Sequence, residues 1–221
     1  MIDLPDFSKA YEYENEFYLS CDITRMSKVM AHYELYKMVL NVPGVIMECG
    51  VFKGASLARF ACFRELLGNP YSKKIVGFDT FGEFPSTKEE GDKAILSKFL
   101  ENAGNMSISV EQMQKVLKHK RCERCVDLIE GDICRTVPDY VKEHPELKIS
   151  LLNLDTDIYE PAKVILEHLY PRLERGGVLI LDDYGVFPGE TKAVDEYFTD
   201  QSDIEIQKFP FAMTPCYVIK K

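Results

Sequence analysis

The sequence predicts an α/β fold: a mostly parallel seven-stranded sheet with helices on both faces and an antiparallel last strand. Three observations carry that expectation. Short apolar runs alternate with helix-length segments along most of the chain, the pattern of βα units that build a parallel sheet. The last two runs, Ile204 to Phe209 and Cys216 to Ile219, are joined only by Pro210 to Pro215, a connection suited to a hairpin rather than a helical crossover. Two runs end in carboxylate pairs, Asp155 with Asp157 and Asp182 with Asp183, with one helix-length segment between them. In a parallel sheet that geometry brings all four acids to one edge, where such sheets bind ligands.

The elements follow in order. Residues 1–25 mix aromatics and charges without periodicity and read as an irregular arm. From Met26 a helix is expected, with Val29, Met30, Tyr33, the stem of Lys37 and Leu40 on its apolar face. Asn41, Pro43 and Gly44 stop it. Val45 to Cys49 is a strand running into Gly50, followed by a helix over Ala55 to Leu67 that ends at Gly68-Asn69-Pro70. Ile75 to Asp79 is the second strand. Gly82 to Lys120 is polar and turn-rich with two helices about Asn102 to Asn105, and reads as an insertion that can act as a lid. Val126 to Glu130, Ile149 to Leu154 and Val178 to Leu181 are the next strands, the last entered through a Gly176-Gly177 turn. Helices are expected at Thr136 to Glu143, from Glu160 with Pro161 in its first turn, and at Glu190 to Phe198. The expected organisation is the arm and then one domain over 26–221, with the lid-like insertion at about 82–120.

Composition narrows the class. The chain has 221 residues, 46% hydrophobic and 29% charged, with a net charge of −9, which suits a globular protein with a sizeable core. A nucleic-acid surface or an anionic membrane surface is not expected from that charge and the lack of a dense basic run. The N-terminus, MIDLPDFSKAYEYENEF, lacks the basic flank and apolar core of an export signal, and no apolar run reaches membrane-spanning length. Seven scattered cysteines then read as reduced thiols in a cytoplasmic protein. Cys122 and Cys125 form a C-x-x-C, but no second ligand pair stands at zinc spacing, and the motif precedes a strand instead of opening a helix.

Four converging carboxylates repel one another unless a cation or a proton sits among them, so the D-x-D and D-D pairs point to a divalent-metal site. Hard oxygen ligands without His or Cys favour Mg²⁺. Glu48-Cys49-Gly50 to Gly54-Ala55-Ser56 forms a strand-to-helix turn with G-x-x-x-G spacing, not the G-x-G-x-x-G of dinucleotide sites. An acid before its first glycine suits a ligand that carries an ammonium beside a carboxylate. Asp79 at the next strand end can accept hydrogen bonds from ribose hydroxyls, and Asp132 after the third can accept one from an adenine amino group. Together they describe a site for S-adenosylmethionine. The same acids admit structural roles, with Asp157 capping the following helix and Asp183 in a salt bridge. Phe81 and Tyr184 stand where they could line the site, and the four histidines have no motif around them.

VIMECGVFKGAS, VGFDTFGEFP, EGDI and LDTDIYEPAKVILEHLYPRLERGGVLILDDYG with AVDEYF resemble the metal-dependent sugar O-methyltransferases of the macrocin O-methyltransferase family, over about Met26 to Phe198. The resemblance implies a single Rossmann-like class I methyltransferase domain that uses S-adenosylmethionine and Mg²⁺. It implies Asp155, Asp182 and Asp183 as metal ligands and Asp157 as general base. Glu48, Gly50, Gly54, Ser56, Asp79, Phe81, Asp132 and Ile133 become cofactor contacts. The acceptor would be a small or glycosylated molecule with adjacent hydroxyls, and a homo-oligomer is compatible with it. The competing readings are a catechol-type O-methyltransferase and a non-catalytic adenosine-ligand-binding protein. In either enzyme a nearby carboxylate takes the hydroxyl proton while the metal lowers the hydroxyl pKa.

Overall fold

The computed structural model describes residues 2–221. Its strands are β1 (Val45–Cys49), β2 (Ile75–Asp79), β3 (Val126–Glu130), β4 (Ile149–Leu154), β5 (Leu173–Leu181), β6 (Gln207–Lys208) and β7 (Cys216–Ile219). All seven join one sheet in the order β3-β2-β1-β4-β5-β7-β6. β1 to β5 are parallel, and β7 runs antiparallel to both neighbours. The chain steps outward from β1 to β3, then returns to place β4 on the other side of β1. That reversal opens a crevice at the C-terminal ends of β1 and β4.

Eight α-helices accompany the sheet among the described residues: α1 (Ala10–Ser20), α2 (Ile23–Met38), α3 (Ala55–Leu67), α4 (Glu90–Ala103), α5 (Val110–Lys120), α6 (Ile133–Glu143), α7 (Tyr159–His168) and α8 (Pro188–Phe198). Strand side chains alternate between faces. Met47, Phe78, Leu152, Leu154 and Leu179 pack with α6, α7 and α8 on one side. Ile46, Ile75, Leu151, Val178 and Ile180 pack with α2, α3 and α5 on the other. Both faces are covered, so the strands read as continuous apolar runs.

The structure departs from the sequence expectation in several places, among them the strand expected over Ile204 to Phe209, of which only Gln207–Lys208 pairs in the sheet. The N-terminal segment is not irregular: α1 is a regular helix that buries none of its residues and leaves Tyr11, Tyr18 and Leu19 exposed. A helix that packs on nothing needs no apolar stripe, so periodicity does not report it. The inward face of α2 is Ala31, His32, Leu35 and Tyr36, while Met30, Tyr33 and Leu40 are exposed. The buried face is partly polar because it meets the acids described below. β5 begins at Leu173, five residues earlier than expected. Its register jumps from Ile149↔Leu173 to Leu151↔Val178, and Gly176 (φ +77°) sits within this bulge. Finally, only the first part of the insertion overhangs the crevice. α5 buries Met113 and Leu117 in the core beside α3, and its start is fixed by a Ser109–Gln112 capping box. The base of the overhang is closed by Phe84 N–H to Asn105 O (2.8 Å) and Ser107 N–H to Gly82 O (2.7 Å).

The seven cysteines are free thiols. No helix among the described residues is long and apolar enough to cross a membrane.

Candidate active site

Register brings the chemistry together. Cys49 pairs with Leu154, and Leu154 with Leu181, so Gly50, Asp155 and Asp182 are the first residues beyond three adjacent strand ends. The Asp155 N–H donates to Cys49 O and the Asp182 N–H to Leu154 O, both at 3.0 Å. A cavity of about 910 Å³ opens there, lined by Gly50, Ser56, Asp79, Asp132, Ile133, Asp155, Asp157, Asp182 and Asp183, with side chains of α2 and the insertion.

One end of the cavity is built by the β1–α3 turn. Gly50 has φ +94°, and a Cβ there would fall 1.7 Å from the Asp155 carbonyl oxygen. Only glycine lets the two loops cross at this point. Gly54 (φ +81°) is the N-cap of α3, and its missing Cβ leaves room for Met113 Sδ; it supports the turn from outside the cavity wall. The Asp79 Oδ2 atom accepts the Phe52 N–H (2.9 Å) and Oδ1 accepts the Phe81 N–H (2.7 Å). Oδ2 keeps a further lone-pair direction for a ligand, whereas Oδ1 also has the Thr80 hydroxyl at 3.3 Å. The Phe81 side chain, expected at the cofactor, instead packs in the core with Val51 and Ile108. Its backbone has φ +49°, and the side chain is not among those lining the cavity.

Glu48 lies fully buried under this turn. Its Oε1 accepts the Ser56 hydroxyl at 2.6 Å, and Oε2 has no partner. Burial pushes its carboxyl up to about 8, against the Ser56 hydrogen bond and the Arg59 charge, which pull it down. Asp132 accepts the Cys134 N–H (2.9 Å) as N-cap of α6, which extends that helix back to Ile133. Capping and facing the cavity are both satisfied by one carboxylate.

The other end holds the acids. Carboxylate oxygens of Asp155, Asp182 and Asp183 all lie within 4.8 Å of one another. Burial, then the Asp182 charge, raises Asp155 and Asp183 well above the usual carboxylate range. Asp157, at φ +61°, is pushed up to about 7 by burial and then by the Asp155 charge. Asp182 goes the other way. Burial works against its charge, but Lys28 and His32 outweigh it and hold the carboxyl far below its ordinary value. Lys28 Nζ forms an ion pair with Asp182 Oδ2, and His32 Nε2 stands 3.6 Å from Oδ1.

Lys28, His32, Arg59 and Glu190 escaped the sequence reading as site residues. His32 is buried beneath the acids, with Nδ1 2.9 Å from Arg59 Nη1. Glu190 is buried in the first turn of α8, where Oε1 accepts the Asp183 N–H (3.0 Å) and its own N–H reaches Asp157 O (3.3 Å). The i, i+4 spacing of Lys28 and His32, in phase with Leu35 and Tyr36, was the available signal for the first two. Asp157 does not cap α7. The Tyr159 N–H there is taken by Asp92 Oδ2 (3.1 Å), whose Oδ1 also accepts the Gly189 N–H (2.7 Å). Asp92 of α4 thereby pins the insertion to the starts of α7 and α8. Phe52, Phe84, Phe99 and Phe187 form a connected edge-to-face and tilted set, with centroids 5.7–6.2 Å apart, along the cavity wall under the insertion.

A 3-2-1-4-5-7-6 sheet with an antiparallel seventh strand, a glycine turn after β1 and acids at the ends of β1 and β2 defines the class I, S-adenosylmethionine-dependent methyltransferases. Within that class the chain belongs to the TylF, or macrocin-O-methyltransferase, family, whose model matches residues 23–209. It is 29% identical over 170 residues to demethyldecarbamoylnovobiocin O-methyltransferase of Streptomyces niveus, covering 71% of this chain and 59% of that protein. It is 27% identical over 168 residues to mycinamicin III 3''-O-methyltransferase of Micromonospora griseorubida, covering 71% and 61%. The chain thus spans about three-fifths of the length of these curated relatives. Among solved structures it resembles CalS11, a calicheamicin methyltransferase, at 31% identity and a TM-score of 0.77, covering 95% of this chain and 84% of that one. The O-methyltransferase NovP shares the fold at 22% identity and a TM-score of 0.74, covering 88% and 79%.

Proposed function

We propose that this chain is a metal-assisted O-methyltransferase that moves the methyl group of S-adenosylmethionine to a hydroxyl of a sugar, free, nucleotide-linked or attached to a larger natural product. The observation that carries this reading is the meeting of Asp155, Asp182 and Asp183 with Asp157 in one cavity that also receives Asp79 and Asp132. Two of the relatives are named for methyl transfer to demethyldecarbamoylnovobiocin and mycinamicin III, and CalS11 is described as a TDP-rhamnose 3'-O-methyltransferase, which supports the acceptor class.

The residues present fit both absent groups. Asp182 Oδ1 is buried without a hydrogen-bond partner, and three hard carboxylates match the oxygen ligand set of Mg²⁺. Glu48 Oε2 is likewise unpartnered beneath the turn, suited to the ammonium end of the cofactor. Asp79 would take the ribose hydroxyls and Asp132 the adenine amino group, with Ile133 against the ring. A Mg²⁺ ion held by Asp155, Asp182 and Asp183 would lower the pKa of an acceptor hydroxyl. Asp157, buried beside the trio in the same cavity, is the carboxylate placed to take the proton that the hydroxyl gives up. The phenylalanine wall excludes water and receives the apolar face of an acceptor, which favours a deoxysugar or a sugar on an aromatic or macrocyclic core.

The test is radiolabelled methyl transfer to a panel of nucleotide deoxysugars, glycosylated natural products, polysaccharide fragments and catechols, with and without EDTA. Sugar methylation lost on chelation is expected, as is its loss in Asp155→Asn and Asp157→Asn. Methylation of catechols alone would move the protein to the small-molecule class. Cofactor binding with no transfer to any acceptor, under conditions where a family relative is active, would favour a binding protein.

A further inference from the structure

We propose that Lys28 sets the metal affinity of the acid cluster: its ammonium is the resident counter-cation of Asp182, and a divalent ion must take that carboxylate from it. The inference rests on the metal reading above. Both oxygens of Asp182 face α2, with Lys28 Nζ on Oδ2 and His32 Nε2 3.6 Å from Oδ1. Arg59 can only donate, so its contact with His32 Nδ1 (2.9 Å) assigns the ring proton to Nε2, facing Asp182. His32 is therefore neutral, with its Nε2 proton turned toward Asp182 Oδ1 but beyond hydrogen-bond distance, and the positive charge in contact with the trio is that of Lys28.

Among the described residues, Asp155 and Asp183 make no ion pair, whereas Asp182 is paired. Asp182 is thus the one carboxylate of the trio already paired with a cation, although the same three acids offer oxygens close enough to share an ion. Lys28 also lines the cavity and its side chain keeps 21% of its surface exposed, so it has open space into which it can swing when displaced. With the ammonium in place, the metal-free cluster is partly neutralised. When a dication enters, like charges share the site until Lys28 moves. At an effective dielectric of about 20 and separations of about 4–5 Å, that repulsion is large enough to weaken binding by at least about tenfold. On this view the acid trio holds its metal reversibly because α2 keeps a competing charge beside it.

The experiment uses cofactor-free full-length protein and Mn²⁺ as the probe, with affinity read by calorimetry and by electron paramagnetic resonance. Lys28→Met is expected to bind Mn²⁺ about ten- to a hundredfold more tightly than the unaltered chain. Lys28→Arg, which keeps the charge, should stay within about threefold of it. Equal or weaker Mn²⁺ binding by Lys28→Met overturns the inference and leaves the metal reading standing. Absence of Mn²⁺ binding in every chain overturns both. A second readout needs no variant: acetylation of Lys28 by an amine-reactive ester, followed by mass spectrometry with and without saturating Mg²⁺. Displacement predicts an acetylation rate at least about threefold higher with metal, because the freed amine enters the cavity. A rate that is unchanged or lower with saturating metal overturns the proposal independently of how the variants fold.

Discussion

Replacing Glu48 by Gln removes a buried carboxyl while keeping its shape and its contact with Ser56. In the folded chain burial holds this group at about 8, against an ordinary value of 4.5. Below about pH 4.5 the folded and unfolded chains both carry the proton, and its stabilising contribution is complete. As pH rises, the unfolded chain releases the proton first, and stability falls by up to about 1.4 kcal/mol per unit until the folded value is reached. The 3.5-unit interval, 8 minus 4.5, bounds the loss at about 5 kcal/mol. Local relaxation and entry of water reduce this, and about 2–3 kcal/mol is the working expectation. Urea unfolding of both chains between about pH 5 and about pH 8, without cofactor, measures it. The unaltered chain should lose stability relative to Glu48→Gln across that range, and the two should run parallel above it. A difference that stays constant within about 0.5 kcal/mol across the range would refute the reasoning. If Glu48 receives the cofactor ammonium as proposed, saturating S-adenosylmethionine should flatten the slope of the unaltered chain only.

Three further outcomes are expected. Gly50→Ala drives a Cβ into the Asp155 carbonyl at a φ of +94°, so it should cost at least about 3 kcal/mol in thermal or urea unfolding and weaken cofactor binding by calorimetry; a wild-type melting point would contradict the loop crossing. Asp92→Ala leaves the Gly189 and Tyr159 N–H groups without an acceptor, at about 1–3 kcal/mol each. Hydrogen exchange over residues 82–109 should then quicken at least about tenfold while β1 and β4 keep their protection, and unchanged exchange there would rule out the pinning role. Phe99→Ala opens the aromatic wall and should raise the acceptor KM about tenfold with little change in kcat or cofactor affinity. A loss confined to kcat would mean that the wall acts on the chemical step instead.

The sheet was legible because the signals for it are local. Apolar runs such as Val45 to Cys49 and Ile149 to Leu154 report strands buried on both faces, and the Pro210 to Pro215 link reports the reversal into β7. The carboxylates ending those runs needed only the rule that parallel strands finish at one edge. α1 was not legible, since a helix with no buried face carries no stripe to read. Apolar periodicity does not report the inward face of α2, because that face includes His32. Bulged β5 was shortened for a related reason: Gly176 and Gly177 carry turn chemistry, yet here they lie inside a strand.

By itself the sequence determined the βα order, the closing hairpin and the two acid pairs, because each is written within about thirty residues of chain. Tertiary structure alone decided what those acids meet. The pairing of Cys49, Leu154 and Leu181 sets Gly50, Asp155 and Asp182 side by side. The docking of α2 then brings Lys28 and His32 to Asp182, more than 140 residues away in the chain. The α4–α8 contact buries Asp92 over helix starts that no local pattern connects to it. Charge state follows from these meetings and not from residue type. Asp155 and Asp182 follow adjacent strand ends with the same side chain, yet burial pushes the carboxyl of one up while Lys28 and His32 hold the other down.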